Sequence, residues 1–285
     1  MNKAAQLQEL LQKRIAIIDG AMGTMVYAHK LDERAVRGER FKSWHRDVKN
    51  LPDLLNLTRP DIIESIHRQY LEAGADIIKT NTFNAQAISL ADYEMQPLAY
   101  ELAKAGAELA RRAVENQRGR SCFVAGSIGP TTRTSSSVID VSNPALRGAT
   151  YDELVAAYTE QIRGLIDGGA DILLVETIFD TLNAKAALFA IESYFEKIQR
   201  RLPVMASVTF IAENSDRNFI GQTVEAFWNS VSHVPLLSVG INCALGPKEL
   251  RPLVEDLSRI APLFVSSHPN AGLPNPMLRE QSSSK

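Results

Sequence analysis

Cys243 lies where an apolar run gives way to a predicted helix, within the stretch VGINCALGP at residues 239–247. A cysteine at the carboxyl end of a strand, beside an amide side chain and before a Gly-Pro turn, is suited to three roles. It can be a zinc ligand, a nucleophile or a small buried hydrophobe. The residue alone does not separate chemistry from burial, because free cysteines are among the most buried residues.

Other polar residues follow apolar runs in the same way. They are Asp19, Asn81, Glu176, Asn242 and the segment 268–270, which begins with His268. Each one taken alone is equally well explained as a helix cap or a packing residue. Because the carboxyl ends of parallel strands gather at one rim, the set together predicts a single site.

The elements that must position these residues alternate along the chain. Short apolar runs, typical of strands buried on both faces, occur at 15–19, 76–81, 122–128, 171–176, 203–209, 236–242 and 263–268. Helical periodicity separates the runs, for example at Ile62, Ile66 and Tyr70 and again at Leu154, Tyr158 and Ile162. The similar segments 73–76 and 168–171 each end a helix and begin a strand, which indicates a repeated unit.

This alternation predicts an α/β chain, either a doubly wound sheet or a (β/α)₈ TIM-type barrel, and the number of strands favours the barrel. We count about seven strands, so the eighth strand and the final helices are expected to be missing, which leaves strands one and seven as exposed edges. The predicted organisation is an N-terminal helix at 1–14, an incomplete barrel at 15–275 and a divergent polar tail at 276–285.

Composition restricts the classes of function. The 285 residues carry 31 Lys+Arg against 33 Asp+Glu, a net charge of -2, which disfavours nucleic acid and anionic membranes as partners and favours a small neutral or zwitterionic ligand. No signal peptide or transmembrane run is evident, and only two cysteines are present, so we expect a cytoplasmic protein. Phosphate-loop, GxSxG, HExxH and CxxC motifs are absent.

Several segments together resemble the homocysteine-binding domain of cobalamin-dependent methionine synthase. They are DGAMGTM (19–25), RGERF (37–41), ADIIKTNTF (75–83), ETIFDTLNAK (176–185), the Cys243 stretch, LSRIA (257–261) and HPNAGLPN (268–275). The resemblance covers roughly residues 7–275, and its segments occur in the same order along the chain.

The resemblance implies a (β/α)₈ barrel that binds homocysteine and uses zinc to activate its thiol for methyl transfer from methylcobalamin, giving methionine. It implies that Cys243 is a zinc ligand and that Glu176 receives the substrate ammonium, these two being the catalytic residues. Asp19 and Gly20 would line the amino-acid pocket. Asn81, Asn242 and Asn270 are further substrate-binding candidates.

The chain departs from the family at its end. The Gly-Gly-Cys-Cys-Gly segment that supplies two further zinc ligands is absent, and Cys122 begins a strand at the end opposite the rim. We therefore expect weak zinc retention or none. Folate and cobalamin modules are also absent, so methylcobalamin would have to come from a missing domain or another protein. Three alternatives remain: a catalytically incompetent fragment, a methyltransferase that uses betaine or S-methylmethionine, and, more remotely, a sugar-phosphate barrel enzyme.

Overall fold

A sheet of six parallel strands forms the centre of the computed structural model, which describes residues 3–210 and 216–271. The strands pair in the order β1-β2-β3-β4-β5-β6, so each lies beside its neighbours in sequence. They span β1 (Ile77–Lys79), β2 (Phe123–Ile128), β3 (Ile172–Ile178), β4 (Val204–Val208), β5 (Ser238–Asn242) and β6 (Phe264–His268). Every residue of β2, β4 and β5 is buried, as expected for parallel strands that are covered on both faces.

The first predicted strand, at residues 15–19, pairs with β1 through a single bridge. Ile18 lies opposite Ile77 in parallel register, and the Asp19 N–H donates to the Ile77 carbonyl oxygen at 2.9 Å. The expected number of about seven strands is therefore not confirmed, because the described ranges contain six strands and this bridge.

The sheet curls so that its two edges approach each other at the carboxyl ends of the strands. His268, the last residue of β6, places its Nε2 atom 2.8 Å from the carbonyl oxygen of Asp19. This contact joins the last strand of the sheet to the segment that pairs with β1. The result is a curled half-barrel of α/β type, consistent with a TIM-type barrel.

Away from that contact the two edges are separated by a cavity of about 710 Å³. Apolar side chains from both sides line it, among them Ile15 and Ile17 from one edge and Phe264 and Val265 from the other. Ile15 is 85% exposed, and the predicted exposure of the edges at strands one and seven stays a prediction. The predicted loss of an eighth strand and final helices stays a prediction, since residues 272–285 lie outside the described ranges.

Helices cover the outer face of the sheet and the amino end of its interior. They are α1 (Lys3–Lys13), α2 (Met22–Ala28), α3 (Glu33–Arg37), α4 (Leu55–Thr58), α5 (Pro60–Glu72), α6 (Ala87–Leu90), α7 (Ala99–Asn116), α8 (Tyr151–Asp167), α9 (Thr181–Ile198), α10 (Val224–Val231) and α11 (Pro247–Ile260). Short 3₁₀ helices occur at Pro52–Leu54, Ala91–Tyr93 and Gln96–Leu98. The predicted apolar stripes face the core, as shown by the burial of Ile62 and Ile66 on α5 and of Leu154 and Ile162 on α8.

The repeated helix-to-strand unit is confirmed in atomic detail. Gly74 and Gly169 follow α5 and α8 with φ values of 110° and 95°, a backbone conformation that glycine adopts without strain. The aspartate two residues later, Asp76 or Asp171, accepts a backbone N–H from a neighbouring segment at 2.9 Å and pairs with an arginine. Both units therefore fasten the amino ends of their strands by the same polar contact.

The inner face of the sheet changes character along the strands. Alternate residues point inward, so β2 contributes Phe123, then Ala125, then Ser127. Leu7 of α1 closes the amino end and is only 1% exposed. The apolar cluster there comprises Leu7, Ile77, Phe123, Ala125, Ile172, Leu174 and Met205. Polar side chains begin one step further toward the carboxyl ends.

No helix within 3–210 or 216–271 is long and apolar enough to cross a membrane. The predicted cytoplasmic location stays a prediction. So does the division into a helix at 1–14, a barrel at 15–275 and a tail, and the tail at 276–285 lies outside the described ranges.

Candidate active site

Inward-facing residues at the carboxyl ends of five strands form one continuous polar layer with two loop residues. We call this layer the polar rim, and it consists of Asp19, Lys79, Ser127, Glu176, Ser207, Asn242 and Cys243. The predicted convergence of Asp19, Glu176, Asn242 and Cys243 at one end of the sheet is present. Lys79, Ser127 and Ser207 were not among the predicted site residues.

Glu176 on β3 is 7% exposed and is held by two neighbours. Its Oε1 atom accepts the Ser127 hydroxyl at 2.6 Å, and its Oε2 atom accepts the Lys79 ammonium at 3.0 Å. Burial alone would raise the pKa of Glu176, but the Lys79 charge and these hydrogen bonds outweigh it and lower the pKa. Glu176 is therefore an ionised carboxylate, and an incoming ammonium would have to share it with Lys79.

Lys79 reaches the polar rim from the last position of β1. Burial works to lower the pKa of Lys79, but the carboxylates of Glu176 and Asp19 outweigh that effect and raise it. The residue is therefore a fixed positive charge. The signal in the sequence was a lysine within the otherwise apolar run 76–81, two positions after the inward-facing Ile77.

Asp19 supplies a buried acceptor that has no donor. Its Oδ2 atom accepts the Lys79 backbone N–H at 2.9 Å, whereas its Oδ1 atom is buried and has no hydrogen-bond partner. Burial raises the pKa of Asp19 to about 7, although the Lys79 charge opposes the rise. A buried carboxylate oxygen without a hydrogen-bond donor costs free energy of folding. A ligand that supplies a donor at this position would remove that cost.

Gly20 follows Asp19 and is required by close packing. A Cβ atom at this position would lie 2.7 Å from the Tyr70 hydroxyl. The same hydroxyl donates to the Ala21 carbonyl oxygen at 3.3 Å, so α5 fixes the backbone directly after Asp19. The predicted role of Gly20 in the pocket stays a prediction, with this positioning of Asp19 as its structural basis.

Cys243 begins the turn after β5 in an unusual conformation. Cys243 and Ala244 have φ values of 50° and 59°, which non-glycine residues adopt at a cost of about 1–3 kcal/mol each. The Cys243 N–H donates to the His268 carbonyl oxygen at 2.8 Å, and the thiol lies 3.4 Å from the Thr209 hydroxyl. The thiol is half-buried, so it is packed against the polar rim without being sealed in the core.

Asn242 fixes a third strained residue, which lies on β3. Thr177 on β3 has a φ of 59°, and its N–H donates to Asn242 Oδ1 at 3.0 Å. Asn242 Nδ2 donates in turn to the Thr177 hydroxyl at 2.9 Å, and Ser207 donates to Asn242 Oδ1 at 2.6 Å. Through these hydrogen bonds the Asn242 side-chain amide links β3, β4 and β5 beside Glu176.

The other two predicted asparagines lie apart from this network. Asn81 exchanges hydrogen bonds with Asn56, its Nδ2 donating to Asn56 Oδ1 at 3.1 Å, and it also donates to the Pro52 carbonyl oxygen. Asn270 is exposed and is held by its backbone N–H, which donates to the Leu245 carbonyl oxygen at 2.9 Å. Their roles as substrate contacts stay predictions.

The residues present do not form a tetrahedral zinc site. Within 3–210 and 216–271, no group of three or more His, Cys, Asp or Glu side chains is arranged to hold a metal ion. Cys122, the other of the two cysteines in the sequence, is 1% exposed and precedes β2 at the amino end of the strands, as predicted. A cage of three cysteines cannot be assembled from this chain.

Comparisons with known proteins identify the family and support the fold. The model of the homocysteine S-methyltransferase family matches residues 16–284. The metallated form of the homocysteine methyltransferase MmuM from Escherichia coli matches with a TM-score of 0.71 and 22% identity, covering 97% of this chain and 91% of that chain. Its oxidized form matches with a TM-score of 0.72 and 23% identity, covering 94% and 86%. At these identities the structural matches establish the fold alone.

Proposed function

We propose that this chain, which belongs to the homocysteine S-methyltransferase family, binds homocysteine at the polar rim and serves as the module in which the homocysteine sulfur is methylated to give methionine. The observation that carries the proposal is the buried Asp19 Oδ1 atom without a donor. A ligand ammonium satisfies that oxygen, and the adjacent Glu176 carboxylate adds a second negative charge.

The proposed arrangement separates the two ends of the substrate. The ammonium lies with Asp19 and Glu176, and the sulfur lies toward Cys243, whose thiol is half-buried across the rim. Alkylation needs the thiolate form of homocysteine, whereas a free thiol with a pKa near ~8.5 is mostly protonated at neutral pH. The role of the rim residues is to hold the amino acid so that its sulfur is presented in a fixed direction.

Zinc activation of the sulfur is the finer part of the proposal, with Cys243 as the ligand from this chain. One half-buried thiolate is a poor zinc site, since catalytic zinc has three protein ligands. We therefore expect the purified chain to retain zinc weakly. The second candidate function, a fragment that binds homocysteine without turnover, is favoured by this incomplete donor set.

The proposal has two versions that differ in the methyl donor. The sequence resemblance favours methylcobalamin, delivered with folate chemistry by modules outside this chain. The matching family model describes homocysteine S-methyltransferases without specifying the donor. A small donor such as betaine or S-methylmethionine therefore fits at least as well.

Donor assays with two cysteine variants test the proposal. The chain is supplied with L-homocysteine, Zn²⁺ and, separately, methylcobalamin, S-methylmethionine or betaine, and methionine is measured by mass spectrometry. We expect any methionine formation to be lost in Cys243→Ser and kept in Cys122→Ser, since Cys122 lies buried at the opposite end of the sheet.

The outcomes separate the candidates. Binding of homocysteine without turnover from any donor identifies the incompetent fragment. Turnover that survives Cys243→Ser removes Cys243 from the mechanism. A folded chain that binds no homocysteine contradicts the proposed function altogether.

A further inference from the structure

We propose that Lys79 is a substrate-binding residue whose ammonium receives the α-carboxylate of the amino-acid substrate, and this inference rests on the proposed function. The position makes Lys79 a determinant of specificity: it would select amino acids over amines that lack the carboxylate. Glu176, its ion-pair partner, then serves to orient Lys79 as well as to attract the substrate ammonium.

The hydrogen-bonding capacity of Lys79 supports this role. A lysine ammonium has three N–H donors, and the contact with Glu176 Oε2 at 3.0 Å uses one of them. The side chain is 15% exposed, so the ammonium is largely withdrawn from water yet open to the polar rim. Donors that remain in such a position are available to an anionic ligand group.

The charges at the polar rim also support Lys79 as the group that receives the substrate carboxylate. Two carboxylates, Asp19 and Glu176, face the space in which a zwitterion would bind, and their charges would repel the substrate carboxylate. A buried charge is tolerated only when it is paired. Among the described rim residues, Lys79 is the one with a permanent positive charge, and it interacts electrostatically with both carboxylates.

Asp19 and Lys79 are also fixed to each other. The Lys79 backbone N–H donates to Asp19 Oδ2 at 2.9 Å, which leaves Asp19 Oδ1 as the unpaired acceptor. The ring of His268 is already engaged nearby, with its Nε2 atom 2.8 Å from the Asp19 carbonyl oxygen. Asp19 therefore offers an unpaired acceptor and Lys79 offers ammonium donors, and the two residues are joined through the Lys79 backbone, a combination that suits the ammonium and carboxylate of an α-amino acid.

The test compares two ligands in calorimetric titrations of the intact chain: L-homocysteine and 3-aminopropane-1-thiol, which is homocysteine without its carboxylate. For the unmodified chain we expect homocysteine to bind about 10- to 100-fold more tightly, the range of a charge-assisted hydrogen bond. Lys79→Met should weaken homocysteine by a similar factor and change the affinity for 3-aminopropane-1-thiol by less than about threefold. Lys79→Arg should recover part of the preference, because it keeps the positive charge.

The outcomes distinguish this inference from the proposed function. Equal weakening of both ligands in Lys79→Met means that Lys79 only organises the site, and it overturns the inference while homocysteine binding stands. If Lys79→Met does not fold, the unmodified chain alone decides: equal affinity for the two ligands overturns the inference, and a preference for homocysteine supports it. A folded chain that binds neither ligand removes both the inference and the proposed function.

Discussion

The two ends of the sheet interior are built from the same strands yet have opposite chemistry. At the amino end, Phe123 and Ile172 pack with Leu7 of α1 in an apolar cluster. Four positions further along each strand, the same inward-facing series reaches Ser127 and Glu176, which are hydrogen-bonded to each other. Successive inward-facing residues on a strand are about 6.6 Å apart, so only a few residues separate the apolar cluster from the polar rim.

The two ends of the sheet interior therefore have different roles, stability at one and ligand binding at the other. The apolar end contains no unsatisfied carboxylate, and α1 closes it off from solvent. The polar rim, in contrast, carries a buried carboxylate with a pKa raised to about 7 and a buried ion pair, and three non-glycine residues in it or next to it in sequence have positive φ: Thr177, Cys243 and Ala244. Such costs concentrate where a ligand is bound, and the apolar end supplies the stability that tolerates them.

The largest expected effect is on stability, at the apolar end. Phe123→Ala removes a ring that is 1% exposed, and we expect the free energy of unfolding to fall by about 3–5 kcal/mol. Chemical denaturation measures that loss. Homocysteine affinity per folded molecule should stay within about threefold. A large loss of affinity with little loss of stability would show that the two ends are not separate.

Asp19→Asn should produce the converse result at the polar rim. The substitution removes the charge of the proposed ammonium acceptor, and we expect homocysteine affinity to fall about 100-fold in calorimetric titrations. Asp53→Asn is the matched control, because Asp53 is also a buried carboxylate but is bound to Asn84 away from the rim. Equal losses of affinity in the two variants would remove Asp19 from the site.

The pH dependence sharpens the comparison further. Asp19 must be ionised to receive an ammonium, and its pKa is about 7, so homocysteine affinity should rise about tenfold between pH 6 and pH 8. Calorimetry across this range measures the rise, which should vanish in Asp19→Asn. An unchanged rise in that variant would assign the titration to another group.

Stability should move in the opposite direction. The folded-state pKa of Asp19 lies above its unfolded value of 3.8, so its contribution to stability is full below about pH 4 and is lost as pH rises through about 7. The difference in unfolding free energy between Asp19→Asn and the unmodified chain should therefore shift in favour of the variant from pH 4 to pH 8. Denaturation of both proteins at each pH measures it, and a difference that stays constant would contradict the raised pKa.

Asn270→Ala is expected to have the smallest effect. The residue is exposed, and its described hydrogen bond comes from the backbone, which alanine keeps. We expect homocysteine affinity to change by less than about threefold, measured by the same titration. A loss of tenfold or more would place Asn270 among the substrate contacts that the family resemblance implies.

The sequence predicted the fold well because the relevant signals are local. Apolar runs located all six strands, and the echo between 73–76 and 168–171 anticipated the repeated unit with its positive-φ glycines, Gly74 and Gly169. The strand predicted at 15–19 was overestimated. Ile15 and Ile17 have the residue types of a strand, but this segment forms its bridge to β1 through Ile18 alone. The apolar periodicity of a strand is visible within one segment of sequence, whereas the strand with which it pairs is not.

The candidate site was predicted in part, for a similar reason. Position at a strand end sufficed to bring Asp19, Glu176, Asn242 and Cys243 together, since the topology determines where strand ends meet. Lys79 was overlooked because its ion pair with Glu176 spans 97 residues of sequence. Likewise, the roles of Asn242 and Asn81 in fixing neighbouring backbone depend on partners that only the folded chain brings near.

The most direct test of the central claim is an experimental structure of the chain bound to L-homocysteine. We expect the ligand ammonium to lie within hydrogen-bonding distance of Asp19 Oδ1, with the ligand sulfur directed toward Cys243. Homocysteine bound in the apolar cavity between the sheet edges, or an Asp19 Oδ1 atom still without a donor in the complex, would contradict it.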